Sequence, residues 1–236
     1  MVDGRSLAHA LYPACCILCG GAGNDRDLCR GCERDLPWNE PACPLCALPL
    51  QAGTACGACL TRPPRWDRAF SLLRYDYPAD ALIKAFKYGH RLAIGRVLGE
   101  LMAERLAGRT SGSGLRRSPV PVLIVPVPLH AARECERGFN QAAELARPIA
   151  TGLGVTLVEG LCRRVRATPT QSGLDRRARR HNLRGAFAVR QALEGEHVAI
   201  VDDVVTTGAT AAELAATLRR AGAHRVEVWS AARAVR

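Results

Sequence analysis

Residues 198–210, VAIVDDVVTTGAT, decide how the larger part of this 236-residue chain is interpreted. The continuous apolar run from Val198 to Val201 is too short for a helix and is typical of a strand covered on both faces of a parallel sheet. Two carboxylates, Asp202 and Asp203, follow at the end of that run. A turn with threonines and a glycine comes next, and apolar residues then recur at helical spacing. The stretch predicts a strand, an acidic pair, a turn and a helix.

This turn has the chemistry of a phosphate site. A helix N-terminus presents backbone N–H groups without intrahelical acceptors and a partial positive charge, and threonine hydroxyls add further donors. Carboxylates repel phosphate but accept hydrogen bonds from sugar hydroxyls. The pattern therefore indicates a phosphorylated sugar as ligand. The alternative is purely structural, since an Asp after a strand and a Thr at a helix start are common in α/β proteins.

The first sixty residues have a composition of their own, with nine of the eleven cysteines of the chain. Eight of them form four C-x2-C pairs, and the second four repeat the spacing of the first four at an offset of 27 residues. The pairs are Cys16 and Cys19, Cys29 and Cys32, Cys43 and Cys46, and Cys56 and Cys59.

Four thiolates at tetrahedral geometry close a structural zinc site, so the pattern predicts two zinc ions with the pairs taken in sequence. Interleaved pairing and ligation by Cys15 instead of Cys16 stay open. A disulfide framework is the other interpretation, but it suits an oxidising compartment. We expect a Cys-rich domain of double zinc-ribbon type at residues 1–62 and a second domain at residues 63–236.

The charge is strongly positive, with a formal net charge of +11 and a pI near 9.5. The chain has 31 Arg and two Lys. Such a surface favours a polyanion or a highly phosphorylated ligand, although a genome rich in G and C produces the same Arg bias. The sequence has no run of eighteen apolar residues and no secretory signal pattern at its start, so we expect a cytoplasmic protein without membrane insertion.

Periodicity places further elements between these regions. We expect one or two strands at a sheet edge within 65–77, helices at 79–86 and 93–106, a flexible loop at 108–121 and a buried strand at 122–127. Pro126 cannot donate a hydrogen bond to a neighbouring strand, so that strand should lie at an edge or end in a bulge. Arg133 and Arg137 precede a turn at Gly138 and a helix from about 140 to 149, and the last strand covers 225–231. Lys84 and Lys87 suit either ligand contact or a solvated helix face.

Residues 198–210 resemble the binding motif for phosphoribosyl pyrophosphate (PRPP) of type I phosphoribosyltransferases. The resemblance implies that Asp202 and Asp203 bind the ribose hydroxyls. It also implies that the turn binds the 5′-phosphate through Thr206, Thr207, Gly208, Ala209 and Thr210.

The whole chain resembles the ComF family of late-competence proteins, because it combines the four-cysteine elements, VPVPLH at 125–130, RGFNQ at 137–141 and the PRPP motif. The resemblance implies an α/β fold, in which a type I phosphoribosyltransferase-like domain with a mainly parallel sheet flanked by helices follows a small Cys-rich zinc-binding domain. It places the pyrophosphate beside Arg133, Arg137, Gly138, Asn140 and Gln141. It also places a flexible loop over PRPP within 163–184, which contains Gln171, Arg176, Arg177 and Arg180.

The function that this resemblance implies is PRPP binding with Mg²⁺, structural zinc, and a role in DNA uptake and natural transformation beside a helicase-like partner. The enzymatic form is a glycosyltransferase that uses PRPP, but no residue stands out as catalytic and nothing identifies the acceptor. The alternative is a nucleic-acid-binding or protein-interaction factor with a sensory or vestigial PRPP site. The Arg-rich stretch suits either PRPP or single-stranded DNA.

Overall fold

The computed structural model describes residues 13–51, 55–111, 120–166 and 183–235. Its central feature is a five-stranded sheet in the order β1-β7-β6-β2-β3, in which every pair of neighbours is parallel. The strands are β1 (Arg68–Arg74), β2 (Leu123–Pro126), β3 (Thr156–Leu157), β6 (His197–Val205) and β7 (Arg225–Arg233). A separate antiparallel pair consists of β4 (Cys162–Arg164) and β5 (Phe187–Val189).

Helices cover both faces of the sheet, as the continuous apolar runs of β6 and β7 require. The helices are α1 (Arg30–Arg34), α2 (Gly57–Thr61), α3 (Ala79–Tyr88), α4 (Leu92–Ser111), α5 (Ala131–Arg137), α6 (Gln141–Leu153) and α7 (Ala209–Arg220). One core, the helical layer, packs α3, α4 and α6 against Val201 and Trp229. The other core, the ribbon layer, packs α7 and the β4–β5 pair against Ile200 and Val228. Alternate residues of each central strand thus enter opposite layers.

The Cys-rich region packs against the sheet domain. Cys16, Ile17, Leu28 and Leu36 are buried in the helical layer. Beyond this shared core, the chain before β1 runs along the outer edge of β1, where the Asn39 N–H donates to the Leu72 carbonyl at 3.1 Å. This segment covers an edge strand that would otherwise expose unpaired backbone groups.

The α/β fold class with a mainly parallel sheet flanked by helices and an N-terminal Cys-rich element is confirmed. The structure also confirms the predictions of an edge strand at β1, of helices α3 and α6 and of the final strand. The boundary near residue 62 stays a prediction. Among the described residues, no helix combines the length and the apolar character needed to span a membrane.

Four local predictions need correction. Strand β6 continues through the acidic pair to Val205, because the backbone beyond 201 keeps its pairing with β7. Helix α4 extends to Ser111, into the expected loop. Arg133 and Arg137 lie in a helix that the sequence did not predict, α5, which ends at the expected turn at Gly138 in the left-handed conformation.

The fourth correction concerns β2, which is not an edge strand because β3 pairs with it at Leu123 and Ile124. Pro126 lies opposite Val201 in the register, and the next residue, Val127, donates its N–H to the Val201 carbonyl at 2.9 Å. Val127 thus supplies the hydrogen bond that proline cannot make.

Candidate functional site

The two carboxylates of the acidic pair point into different layers of the protein. Asp203 lies on the side of the helical layer, because Lys87 of α3 forms an ion pair with it. Asp202 interacts electrostatically with Arg164 of β4, on the side of the ribbon layer. Both are half-buried rather than exposed to solvent. The pair therefore lies near the carboxyl end of β6, with one carboxyl group on each face.

Lys87 of α3 is the partner of Asp203. Its Nζ lies 2.8 Å from Asp203 Oδ2, and the two side chains are 21% and 13% exposed. Burial opposes the ammonium charge, but the attraction of Asp203 outweighs it and raises the pKa of Lys87. The sequence left Lys87 undecided between a ligand contact and a solvated face. The signal that could have singled it out is that it is one of two lysines in a chain of 31 arginines.

Asp202 is the member of the pair whose negative charge is opposed by burial. Burial raises the pKa of its carboxyl to about 8, the negative charge of Asp203 adds to the shift, and Lys87 offsets part of it. The Asp203 N–H donates to Asp202 Oδ1 at 2.9 Å. At neutral pH the pair thus carries about one proton until a cation or a hydrogen-bond donor stabilises the second negative charge.

This raised pKa predicts how stability depends on pH. The folded protein keeps a proton on Asp202 that the unfolded chain has already released above about pH 4, so stability falls as pH rises toward about 8. Each pH unit in this window costs at most about 1.4 kcal/mol. We expect Asp202→Asn to remove this component. Urea unfolding at about pH 5.5 and about pH 8.5 measures it, and the variant should gain stability relative to wild type at the higher pH. Parallel pH profiles for the two proteins would contradict the assignment.

Two arginines converge on the Asp202 side of the site. Burial lowers the pKa of Arg164 in β4, the positive charge of Arg133 in α5 lowers it further, and Asp202 acts in the opposite direction. The Arg164 guanidinium carbon lies 5.8 Å from the centre of the Phe187 ring. The Arg164 guanidinium thus interacts with both Arg133 and Asp202, and two neighbouring guanidinium groups suit a phosphorylated anion.

The side chains of the RGFNQ segment contact one another, the backbone and neighbouring aromatic side chains. Arg137 Nη1 donates to Gln141 Oε1 at 3.0 Å, and the Arg137 guanidinium lies 5.3 Å from the Tyr88 ring centre. Asn140 accepts the Ala142 N–H at 3.0 Å as the N-cap of α6 and donates to the Val127 carbonyl at 3.1 Å. Gly138 ends α5 with a positive φ of 73°. These contacts give the segment a structural role, and ligand binding by its side chains stays a prediction.

The turn between β6 and α7 has the geometry of an anion site. Gly208 has a φ of 73°, and a Cβ there would lie 2.8 Å from the Trp66 ring, so only glycine fits. The Ala209 N–H donates to Thr207 Oγ1 at 3.3 Å. Thr206 is exposed, and Thr210 lies in the first turn of α7. The first N–H groups of a helix have no intrahelical acceptor, so they can donate hydrogen bonds to an anion that binds at the turn.

The flexible loop is expected within 163–184, but Arg163 and Arg164 belong to strand β4, and residues 167–182 lie outside the described part of the chain. Its predicted contacts through Gln171, Arg176, Arg177 and Arg180 therefore stay predictions.

The cysteines assemble into the two sequential sets. In each set the Sγ atoms lie within 4.8 Å of one another, and the sets are Cys16, Cys19, Cys29 and Cys32, and Cys43, Cys46, Cys56 and Cys59. Cys15 lies outside them, with its exposed thiol donating to the Gly20 carbonyl at 3.3 Å. The structure thus favours Cys16 over Cys15 and sequential over interleaved pairing.

Each set contains one thiol with a lowered pKa beside thiols whose pKa is raised, Cys32 in the first set and Cys46 and Cys59 in the second. Burial opposes ionisation of Cys16, but the backbone N–H groups of Cys19 and Cys29 outweigh it and lower the Cys16 pKa to about 6. Cys43 behaves alike, with a pKa of about 7 because the N–H groups of Cys56 and Leu45 outweigh burial. Four sulfurs at this spacing repel one another as thiolates unless a metal neutralises them, and four-cysteine sets of this kind fit structural zinc.

Comparison with known proteins gives three findings. The double zinc ribbon domain family matches residues 7–60. The DNA utilization protein YhgH of Salmonella typhi is 39% identical over 220 residues, which cover 92% of this chain and 96% of that protein. Competence protein F of Haemophilus influenzae is 36% identical over 227 residues, with coverage of 93% and 96%.

Two solved structures share a more distant likeness. Glutamine PRPP amidotransferase from B. subtilis aligns with a TM-score of 0.37 and 20% identity over 58% of this chain and 26% of that chain. Hypoxanthine phosphoribosyltransferase of Trypanosoma cruzi aligns with a TM-score of 0.36 and 21% identity over 58% of this chain and 63% of that chain. Likeness at these TM-scores supports no statement about activity.

Proposed function

The chain belongs to the ComF family, with the DNA utilization protein YhgH and competence protein F, and on that premise we propose that it binds Mg-PRPP in the cytoplasm and acts in DNA uptake or DNA processing. The observation that carries the proposal is the acidic pair of β6 beside Lys87, directly before the Gly208 turn. The relatives named above support the DNA role.

We assign each part of PRPP to a part of this site. The ribose hydroxyls donate to Asp202 and Asp203, and the 5′-phosphate accepts from the turn at 206–210. The pyrophosphate lies between Arg133 and Arg164, whose mutual repulsion a bound anion relieves. We assign Arg164 to this anion rather than Arg137, because Arg137 already donates to Gln141 and lies over the Tyr88 ring.

The acidic pair and Lys87 set the charge balance of this site. Lys87 neutralises Asp203 before ligand binding, while Asp202 keeps its proton up to about pH 8. Carboxylate oxygens together with phosphate oxygens suit Mg²⁺, which would neutralise charge on the pyrophosphate. Asp202 should lose its proton when the ligand binds at neutral pH, because its hydrogen bonds then favour the ionised form.

Transfer of the phosphoribosyl group is the enzymatic form of this proposal. Departure of pyrophosphate leaves positive charge on the ribose and negative charge on the leaving group, and the carboxylates would stabilise the first while the arginines stabilise the second. The competing proposal is a nucleic-acid-binding or protein-interaction factor whose PRPP site is sensory. The Arg-rich segment 163–184 favours this second function, because its eight arginines exceed what one pyrophosphate can pair with.

Titrations with Mg-PRPP and with single-stranded DNA test both functions on the same protein. We expect wild type to bind both, and the combined replacement of Arg176, Arg177, Arg179 and Arg180 by Ala to weaken both. The DNA affinity should become less dependent on salt, by about 0.7 to 0.9 in log–log slope for each DNA phosphate that the variant no longer neutralises. Unchanged DNA affinity and slope would restrict these arginines to the nucleotide site. Failure of wild type to bind PRPP would overturn the proposed ligand.

A further inference from the structure

The second four-cysteine set is attached to the sheet domain through three successive backbone carbonyls, two of which bind side chains that reach the turn at 206–210. Pro44, Leu45 and Cys46 belong to the C-x2-C turn of that set, and this turn is the Cys43–Cys46 knuckle. The Pro44 carbonyl accepts the Ala69 N–H of β1 at 2.8 Å, and the Leu45 carbonyl accepts Trp66 Nε1 at 2.6 Å. The Cys46 carbonyl accepts Arg233 Nε at 2.9 Å. The zinc knuckle is thereby docked on the sheet domain by its own backbone.

Trp66 is the first of two side chains that continue from the knuckle to the turn. It is 8% exposed, and its ring lies so close to Gly208 that a Cβ on that glycine would come within 2.8 Å. The indole thus fills the space beneath the turn while its N–H holds the knuckle. A movement of the knuckle would shift this ring and with it the conformation at Gly208.

Arg233 is the second connection, and it is 7% exposed. Its Nη1 group donates to the Val205 carbonyl at 2.8 Å and to the Thr206 carbonyl at 2.5 Å, while its Nε holds the Cys46 carbonyl. The guanidinium places its donors on separate nitrogens, so Nε and Nη1 reach carbonyls of the knuckle and of the turn at once, whereas the donors of a lysine all sit on one nitrogen.

The first four-cysteine set has different neighbours. Arg26 Nη2 donates to Glu104 Oε1 of α4 at 2.6 Å, Asp27 forms an ion pair with Arg96 of α4, and Arg91 donates to the Ile17 carbonyl. This set therefore docks on the helix behind the sheet. The duplicated zinc elements have the same cysteine spacing but are attached to different parts of the sheet domain.

We infer that Arg233 and Trp66 are positioning residues that fix the turn at 206–210 against the Cys43–Cys46 knuckle, so that ligand binding at the turn depends on the second zinc element and not on the first. The statement about ligand binding rests on the proposed PRPP site. The statement that these two side chains fix the conformation of the turn does not depend on that site.

Hydrogen exchange and ligand binding of Arg233→Lys test the inference, with Arg26→Lys as the matched control. Arg233→Lys should keep its zinc and its circular dichroism, exchange amides of the 203–212 segment at least about tenfold faster, and bind ribose 5-phosphate at least about tenfold more weakly, as expected when one or two hydrogen bonds are removed. Its affinity for pyrophosphate should stay close to that of wild type, since Arg133 and Arg164 are untouched. Arg26→Lys should leave all of these quantities near wild type.

Two further cases are a variant that does not fold and a wild-type protein that does not bind ribose 5-phosphate. If Arg233→Lys does not fold, Trp66→Phe removes the indole donor with little change in volume, and the same shifts are expected from it. Wild-type exchange in the 203–212 segment in the folded variants would overturn the inference. If wild type binds no ribose 5-phosphate, the proposed function fails, while the exchange measurement still tests the connection to the knuckle.

Discussion

The double variant Asp202→Asn, Asp203→Asn should lose the rise in melting temperature that Mg-PRPP gives to the wild-type protein. Asparagine keeps the size of each side chain but removes the negative charge that accepts from ribose hydroxyls and attracts Mg²⁺. Two charge-assisted hydrogen bonds at about 1.5 to 3 kcal/mol each correspond to a loss of about 100-fold or more in affinity. Calorimetric titration and thermal unfolding with and without Mg-PRPP measure the effect.

Asp202→Asn removes a carboxyl whose burial already raises its pKa to about 8, whereas Asp203→Asn leaves Lys87 without its ion-pair partner, so circular dichroism must show that the double variant is folded. Asp80→Asn is the control, since Asp80 forms an ion pair with Lys84 at 2.7 Å on the same helix as Lys87 but outside the site. The control should respond to Mg-PRPP like wild type. A double variant with the same response would show that the ligand does not bind at the acidic pair.

Loss of zinc should have the largest effect on stability. The described part of the Cys-rich region has short helices and few buried apolar side chains, so metal binding must supply much of its folding free energy. Structural zinc contributes on the order of 10 kcal/mol in small domains. We expect about two zinc ions per chain by elemental analysis, in agreement with two four-cysteine sets.

A pair of adjacent cysteines gives this prediction a matched control. Cys16→Ser should reduce the zinc content to about one ion per chain and lower the melting temperature, because Cys16 belongs to the first set and is buried. Cys15→Ser should keep both ions, because the Cys15 thiol lies outside that set and contacts the Gly20 carbonyl. Eight titratable thiols in the folded wild type with no bound metal would refute the zinc assignment.

Lys87 shows why the site could be predicted only in part. Helical spacing places its side chain on one face of α3, but spacing does not tell which strand that face meets. The ion pair with Asp203 exists because α3 packs on the helical layer, toward which Asp203 points. Arg233 is a similar case: the sequence shows an arginine at the end of a strand, and only its burial beside Cys46 and Thr206 reveals its role.

The sequence by itself determined the features that depend on local order. The eight-cysteine spacing predicts the two metal sets, because a C-x2-C turn brings its thiols together whatever surrounds it. The run 198–210 likewise predicts the strand, the acidic pair and the helix start, since period and composition act over a few residues. The tertiary structure alone decided what lies across from these elements: Lys87 against Asp203, Arg133 with Arg164 near Asp202, and the Cys43–Cys46 knuckle beneath the Gly208 turn. These contacts join residues far apart in the chain, and they depend on the strand order β1-β7-β6-β2-β3 and on which layer covers each face, which no local pattern encodes.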